Sequence, residues 1–181
     1  METNFFLFLS ICPIYFYATE ISIEEFKPSE WAIYRDLRLA AVQEFPHAYG
    51  TSYREEMLVS EYDWKRRLGF NMLCAKIGNK IVGMVGAVID PSEKKHHIGL
   101  VISLYVFPEF RGIGAGESLM AAIIERLKNL KIIKITLEVS IEQKPAIALY
   151  KKLGFHITGF LENAYQIDGR LYDHLMMTKF L

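Results

Sequence analysis

Three glycines stand within five positions at residues 112–116, between a β-rich run and a run with helical periodicity. The whole stretch reads FPEFRGIGAGESLM, from Phe107 to Met120, and a further β-like run, KIIKITLEV, follows the helix. A strand, a glycine turn, a helix and another strand in succession predict a βαβ crossover, in which the two strands are parallel. This unit restricts the chain to folds that combine helices with a partly parallel sheet.

The rest of the chain supplies elements that surround this unit. From residue 20 onward the apolar periodicity predicts the order β-α-α-β-β-β-α-β-α-β-β. Two-residue turns at Gly78-Asn79 and Asp168-Gly169 predict antiparallel hairpins. We therefore expect an α/β (α+β) fold, with a twisted, mostly antiparallel mixed sheet of about six to seven strands, flanked by helices, around the central βαβ unit.

Charge and length narrow the class of protein. Lys and Arg together number 21, as do Asp and Glu, so the formal net charge is zero at pH 7. Proteins that bind nucleic acid by neutralising phosphates usually carry a basic excess, so we expect no nucleic-acid partner. The 181 residues predict one domain, over residues 20–181. The two cysteines, Cys12 and Cys74, are too few for a disulfide framework and favour a reducing, cytoplasmic compartment.

The first 19 residues are an apolar N-terminal extension. The run from Phe5 to Ala18 is apolar apart from Ser10, but it is shorter than the roughly 20 residues of a membrane span, and Pro13 interrupts it. No basic residue precedes Lys27, whereas a secretory signal has a positive start. We expect a packed extension or an extra strand, and an anchor or uncleaved signal at residues 5–18 is the less favoured alternative.

The glycine stretch admits two interpretations. Glycines directly before a helix let several backbone N–H groups converge beside the partial positive charge of the helix start, which suits a phosphate or pyrophosphate. The stretch is neither a Walker loop nor a Rossmann fingerprint, because no Gly-Lys-Ser/Thr follows and the glycine spacing differs. An ordinary glycine-rich turn is the alternative, and the stretch alone does not decide between them.

Two motifs that follow one another along the chain resemble those of the GNAT superfamily of N-acetyltransferases. LYVFPEFRGIGAGESLM is similar to the family's Arg/Gln-x-x-Gly-x-Gly/Ala loop behind a bulged Val-x-Pro strand, with Arg111, Gly114 and Gly116 at the motif positions. KPAIALYKKLGF, from Lys144 to Phe155, is similar to the family's Ala-x-x-Leu-Tyr-x-x-x-Gly-Phe passage. The resemblance covers about Ile21 to Leu181, and it implies the fold and an acetyl-CoA-dependent acyltransferase.

The resemblance also implies the residues that bind acetyl-CoA. The loop would hold the pyrophosphate, and the end of the preceding strand would meet the thioester through its backbone. At the position where the family usually has an asparagine against the cofactor, this chain has Gln143, which keeps an amide on a longer stem. The expected cofactor-binding residues are Leu104, Tyr105, Val106, Arg111, Gly112, Ile113, Gly114, Ala115, Gly116, Gln143, Ala146 and Tyr150.

Two residues are candidates for proton transfer. Acyl transfer from a thioester releases a thiolate that must be protonated, and a tyrosine hydroxyl can serve as that general acid. The resemblance places Tyr150 in this role. Glu138 lies twelve positions before it, a pairing similar to that of the enzymes that acetylate ribosomal-protein N-termini, where the matching Glu is the base. A solvated strand residue is the alternative for Glu138, and a water relay is the alternative base.

The residues that would contact the amine acceptor are the part of the site that the sequence indicates least clearly. The loop EFPHAYGTSYREE resembles a loop between the first two helices of bacterial family members, so Tyr49, Ser52 and Tyr53 are candidates for contact with the acceptor, together with Tyr172 in the last strand. No set of residues has metal-ligand spacing, so we expect no metal.

These features predict an N-acetyltransferase. It would move acetyl from acetyl-CoA to a primary amine, either a small molecule or a peptide or protein N-terminus, by direct attack in a ternary complex. The alternative is a non-catalytic acyl-CoA-binding or regulatory module. The partners are then acetyl-CoA and the amine, and the protein would be a monomer or a homodimer.

Overall fold

The computed structural model describes residues 20–181, so the apolar extension predicted at residues 1–19 lies outside the described residues. Five α-helices and seven strands fill this range, with short 3₁₀ turns at Pro28–Glu30, Pro46–Ala48 and Pro108–Phe110. The helices are α1 Trp31–Glu44, α2 Tyr53–Met57, α3 Glu61–Arg67, α4 Ala115–Asn129 and α5 Lys144–Lys152. The strands are β1 Ile21–Glu25, β2 Leu73–Ile77, β3 Lys80–Ile89, β4 Ile98–Val106, β5 Lys134–Ser140, β6 His156–Ile167 and β7 Arg170–Phe180.

All seven strands form one mixed sheet in the order β1-β2-β3-β4-β5-β7-β6. Each neighbouring pair is antiparallel except β4 and β5, which are parallel and are joined by α4. The predicted fold class is therefore confirmed, including the βαβ unit at the centre of the sheet.

Apolar side chains cover both faces of the sheet. Successive residues of β2 point to opposite faces, as the strand geometry requires: Leu73 packs in one core cluster and Cys74 in the other. The first cluster receives the apolar stripe of α4, which includes Leu119 and Ile123. The second receives Leu37 of α1. The middle of the sheet therefore lies between α4 on one face and α1 on the other.

The sheet opens between its two parallel strands. Their pairing extends only from Ile98 opposite Lys134 to Leu100 opposite Thr136. Just beyond, β4 carries a bulge where the register with β3 shifts, and Ser103 in it has φ of 58°. A bulge increases the local twist and bends the strand away from its partner. As a result, the second half of β4 and the end of β5 diverge and leave an opening.

The loop predicted between the first two helices contains an additional helix. Ser52 caps α2: its hydroxyl accepts from the Glu55 backbone N–H at 3.2 Å, and the Glu55 carboxylate accepts from the Ser52 N–H at 2.7 Å. This reciprocal capping box stabilises a helix of only five residues. The prediction of an irregular loop was wrong here. The apolar periodicity of this segment is too weak to indicate a helix, but the capping box stabilises one.

A buried ion cluster fixes α2 against α1 and α3. Glu56, which is 2% exposed, accepts from Arg38 Nε at 2.9 Å, from Arg67 and from the Thr51 hydroxyl. Burial alone would raise the pKa of the Glu56 carboxyl, but the Thr51 hydroxyl and the two guanidinium groups outweigh it and lower the pKa. With two arginines to one carboxylate, the cluster has a net positive charge.

No helix within residues 20–181 is both long enough and apolar enough to cross a bilayer.

Glu56→Gln should lower the free energy of unfolding by about 3 kcal/mol, because it leaves two part-buried guanidinium groups without their shared carboxylate. Since the pKa of Glu56 is lowered in the folded state, its stabilisation is present above the ordinary value of 4.5 and is lost as the pH falls below that value. Urea denaturation of both proteins across pH 3–7 measures this. The difference between them should shrink towards low pH.

Glu61→Gln is the matched control, because Glu61 makes an exposed pair with Lys65 in α3. Such a pair contributes only about 0.3–0.5 kcal/mol, so this variant should be nearly as stable as the original protein. Equal losses in the two variants would contradict the role given to the Glu56 cluster.

Candidate active site

The opening between β4 and β5 forms a cleft with a volume of about 940 Å³. This volume is at the upper end of the usual range for small-molecule sites. Its walls come from β4, β5, the glycine stretch, α5, the end of α1 and the loop behind it. The cleft thus brings together residues that are far apart in the sequence, the first being Arg38 and the last Tyr165.

The glycine stretch forms one end of the cleft. Gly112 and Gly114 have φ of 77° and 95°, in the left-handed region that glycine tolerates, and Gly114 is the residue directly before α4. A Cβ at either position would meet no protein atom within 4 Å. Space therefore lies open in front of the first N–H groups of α4, which is where a phosphate would bind.

Arg111 joins this loop to α1. Its Nη1 and Nη2 donate to the two carboxylate oxygens of Glu44, each at 2.7 Å, and its Nε donates to the Val106 carbonyl at 2.9 Å. The Tyr105 hydroxyl also donates to Glu44, at 2.8 Å. Hydrogen bonds from Arg111 lower the pKa of Glu44, so the carboxylate stays ionised and neutralises the guanidinium.

The free edge of β4 lines the middle of the cleft. Tyr105 is opposite Met84 of β3, whereas the Leu104 carbonyl accepts from the Tyr49 hydroxyl at 3.2 Å and the Val106 carbonyl accepts from Arg111. Backbone groups alternate between the two edges of a strand. Leu104 and Val106 therefore face the cleft with their backbone groups, and Tyr105 faces β3 with its own.

Tyr150 reaches the cleft from α5. Its side chain is 7% exposed and packs beside Phe155, with 6.0 Å between the ring centroids. Burial raises the pKa of its hydroxyl, and the neighbouring Tyr49 adds to this effect. The hydroxyl therefore keeps its proton well above neutral pH, as a general acid must. Burial likewise raises the pKa of Tyr49, to about 12.

Glu138 lines the cleft from β5 and contacts a buried histidine. Its Oε1 lies 2.7 Å from Nδ1 of His174, on the adjacent strand β7. The other ring nitrogen, Nε2, lies 2.8 Å from the carbonyl oxygen of His47. His174 is 1% exposed, whereas the side chain of Glu138 is 36% exposed. The carboxylate thus has one oxygen held by the protein and remains accessible from the cleft.

His47 places the loop after α1 against the same site. Its ring stacks on Tyr172, with 5.3 Å between centroids, and its Nε2 lies 3.2 Å from Nε2 of Gln143. Burial lowers the pKa of His47, so the ring is neutral at pH 7 and its Nε2 accepts from the Gln143 amide. Glu142, at 3.8 Å, is then a weak neighbour rather than an ion-pair partner.

Most residues predicted from the sequence for the site come together in the cleft. The structure places these at its lining: Leu104, Tyr105, Val106, Arg111, Gly112, Gly114, Ala115, Gly116, Glu138, Gln143, Ala146, Tyr150 and Tyr49. Ile113 is in the same loop but is 48% exposed and does not line the cleft. Ser52 and Tyr53 are also outside the lining, at the start of α2, and Tyr172 reaches it only through His47.

Three cleft residues that the sequence did not identify are Arg38, His47 and Tyr165. Arg38 comes from α1, where apolar periodicity was the only visible signal, and its Nη1 donates to Ser103 of the bulge at 3.2 Å. His47 and Tyr165 are single residues in segments without a motif. Tyr165 packs on His174, with 4.2 Å between ring centroids. No local pattern could have shown these contacts, because the partners are 65 and 9 residues apart.

Comparisons with known proteins agree with this geometry. Residues 33–155 match the acetyltransferase (GNAT) family. The L-amino acid N-acetyltransferase AaaT of Escherichia coli is 30% identical over 125 residues, 66% of this chain and 76% of that protein. A mycothiol acetyltransferase of Pseudarthrobacter chlorophenolicus is 33% identical over 96 residues, 52% of this chain, and the matched part is only 29% of that protein's length.

A solved structure shows the same fold. It is described as yncA, a putative acetyltransferase from Salmonella typhimurium with its cofactor acetyl-CoA. The two superpose with a TM-score of 0.80 over 90% of this chain and 94% of the other, at 16% sequence identity. Since the family match spans well over half of the sequence, the chain belongs to the GNAT acetyltransferase family, as its two motifs indicate.

Proposed function

We propose that this protein transfers the acetyl group of acetyl-CoA to a primary amine by direct attack in a ternary complex. The observation that carries the proposal is the cleft between β4 and β5, which brings the open glycine loop, the free strand edge, Tyr150 and Glu138 to one place. Each of these has a separate part in acyl transfer.

The glycine loop would bind the pyrophosphate. The left-handed Gly112 and Gly114 leave the space in front of α4 free of side-chain atoms, and the first N–H groups of a helix have no partner within the helix. The helix dipole contributes only about 0.3–1 kcal/mol per nearby charge, so converging N–H groups provide most of the affinity. The side chain of Arg111 is already neutralised by Glu44, so we assign it to holding the loop in place.

The edge of β4 would orient the thioester. The backbone N–H groups of Leu104 and Val106, on the edge that faces the cleft, are placed to donate to the oxygen on which negative charge develops during attack. One such donor typically contributes about 10²–10³ in rate. The bulge at Ser103 supports this role, because it ends the pairing with β5 that would otherwise occupy these donors.

Tyr150 and Glu138 would move the protons. The amine nitrogen forms a bond to the acetyl carbon while the carbon–sulfur bond breaks, so the amine loses a proton and the departing thiolate gains one. We assign Glu138 to the first transfer, since its carboxylate is accessible from the cleft. We assign Tyr150 to the second, because its buried hydroxyl stays protonated at neutral pH.

The acceptor would enter beside the loop after α1. Tyr49, Gly50 and His47 line that end of the cleft, together with Arg38 and Tyr165. The relatives include an enzyme named for L-amino acids and others named for mycothiol and for a ribosomal-protein alanine. An L-amino acid and the N-terminal alanine of a protein are both primary amines, and both a small amine and a peptide N-terminus fit the proposal. We further propose a cytoplasmic location, a monomer or homodimer, and no metal.

The decisive experiment is thiol release from acetyl-CoA over a panel of amines that includes free amino acids, polyamines and short peptides with free N-termini. Turnover with any member supports the enzyme. If acetyl-CoA raises the melting temperature and no amine gives turnover, the protein is a non-catalytic acyl-CoA-binding module instead.

Gly114→Ala should weaken coenzyme A binding at least tenfold. The new Cβ projects into the open space before α4, and a left-handed backbone costs a non-glycine residue about 1–2 kcal/mol. Isothermal titration with coenzyme A measures this. Gly116→Ala is the control: its Cβ would lie 3.7 Å from Leu149, an ordinary contact, and the family motif allows alanine there, so its affinity should change little. Equal affinities in both variants would contradict the pyrophosphate assignment.

Tyr150→Phe should lower kcat by about 10²–10⁴, the usual contribution of a general acid, without a change in coenzyme A affinity. Steady-state kinetics with the best amine of the panel measures kcat, and titration measures the affinity. Tyr34→Phe removes a hydroxyl from another buried tyrosine, outside the cleft, and should keep the full kcat. A Tyr150→Phe protein with unchanged kcat and weak cofactor binding would show that Tyr150 packs against the cofactor and does not protonate the thiolate.

A further inference from the structure

His174 is a buried polar residue that neither motif includes. It is 1% exposed on β7, and both of its ring nitrogens lie at hydrogen-bond distance from an oxygen: Nδ1 at 2.7 Å from Glu138 and Nε2 at 2.8 Å from the His47 carbonyl. A carbonyl oxygen only accepts, so Nε2 carries a proton. An ionised carboxylate also only accepts, so a bond to it requires a second proton on Nδ1.

We propose that His174 is a positioning residue for the transferase reaction, and that it works as an imidazolium. It holds the Glu138 carboxylate in the cleft with one nitrogen and the acceptor loop, through the His47 backbone, with the other. This inference rests on the proposed function, because it assumes that Glu138 accepts the proton of the amine.

The groups around His174 are consistent with this charge state. Glu138 on β5 is its nearest charged neighbour, and Tyr165 on β6 covers its ring with the centroids 4.2 Å apart. From the acceptor loop, the nearest titratable ring is that of His47, which burial keeps neutral. Tyr172 packs on that ring, and the remaining charged groups of this region are Glu142, Arg170 and Arg38.

The consequence is a coupling between the base and the acceptor wall. A charge-assisted hydrogen bond is shorter and roughly twice as strong as a neutral one, so it fixes the orientation of the carboxylate in a partly exposed site. The same ring bonds the loop that carries His47 and Tyr49 into the cleft. The proton acceptor and the wall against which the amine lies therefore share one rigid support.

Two variants separate the two bonds. Asparagine at position 174 places its amide nitrogen near the position of Nδ1, so His174→Asn retains a donor for Glu138 and loses the bond to His47. Glutamine places its amide nitrogen near Nε2, so His174→Gln retains the bond to His47 and loses the donor for Glu138. Thr178→Val, on the same strand and equally buried, is the matched control, because Thr178 bonds Thr158 and does not contact the cleft.

His174→Asn should raise KM for the amine about fivefold, as for one lost hydrogen bond, with kcat nearly unchanged. His174→Gln should instead lower kcat tenfold or more, because the base is misplaced. Thr178→Val should change neither parameter. Identical kinetic effects of the two His174 variants would overturn the proposal.

The charge state has its own readout, which needs no turnover. Nitrogen-15 spectra of labelled histidine, assigned with His174→Asn, should show both nitrogens of His174 protonated at pH 7. In Glu138→Gln, Nδ1 should lose its proton while Nε2 keeps it. A singly protonated His174 in the original protein would overturn the inference. If the spectra show the imidazolium but no amine gives turnover, the proposed function has failed and the charge state has not.

Discussion

The divergence of the two parallel strands is the constraint on which the rest of the site depends. If β4 and β5 remained paired to their ends, their backbone groups would bond each other and the centre of the sheet would be closed. Pairing instead stops at Leu100, and the bulge at Ser103 turns the strand away. The βαβ connection then has a second effect: it places the start of α4 at the same end of the sheet as the opening. A free strand edge and a helix N-terminus meet there without any insertion.

The fold could be predicted from the sequence because its signals are local. The glycine stretch, the hairpin turns at Gly78-Asn79 and Asp168-Gly169, and the stripe of α4 each involve residues close in the chain. The residues predicted to bind the cofactor follow the same rule, since they lie in two short stretches, 104–116 and 143–150. α2 was missed because its stability comes from the capping box of Ser52 and Glu55, whereas its apolar pattern is weak.

The contacts at the proposed acceptor end of the cleft could not be predicted in the same way. His174 is 36 residues from Glu138 and 127 from His47, and only the pairing of β5 with β7 and the packing of the loop bring them together. Arg38 reaches Ser103 only because α1 crosses the sheet beside the bulge. Contacts of this kind depend on register and packing. A single histidine on a strand has the same appearance in the sequence whether it is in solvent or, like His174, buried beside a carboxylate.

The ion pair between Arg111 and Glu44 has a thermodynamic consequence. Arg111 begins the glycine loop that we propose binds the cofactor, and Glu44 is the last residue of α1, directly before the segment that we propose lines the acceptor end of the cleft. When one ligand orders one residue of an ion pair and a second ligand orders the other residue, each ligand changes the affinity of the protein for the other. Thermodynamic linkage requires these two changes in affinity to be equal. If bound acetyl-CoA changes the affinity for the amine by some factor, the bound amine must change the affinity for acetyl-CoA by the same factor.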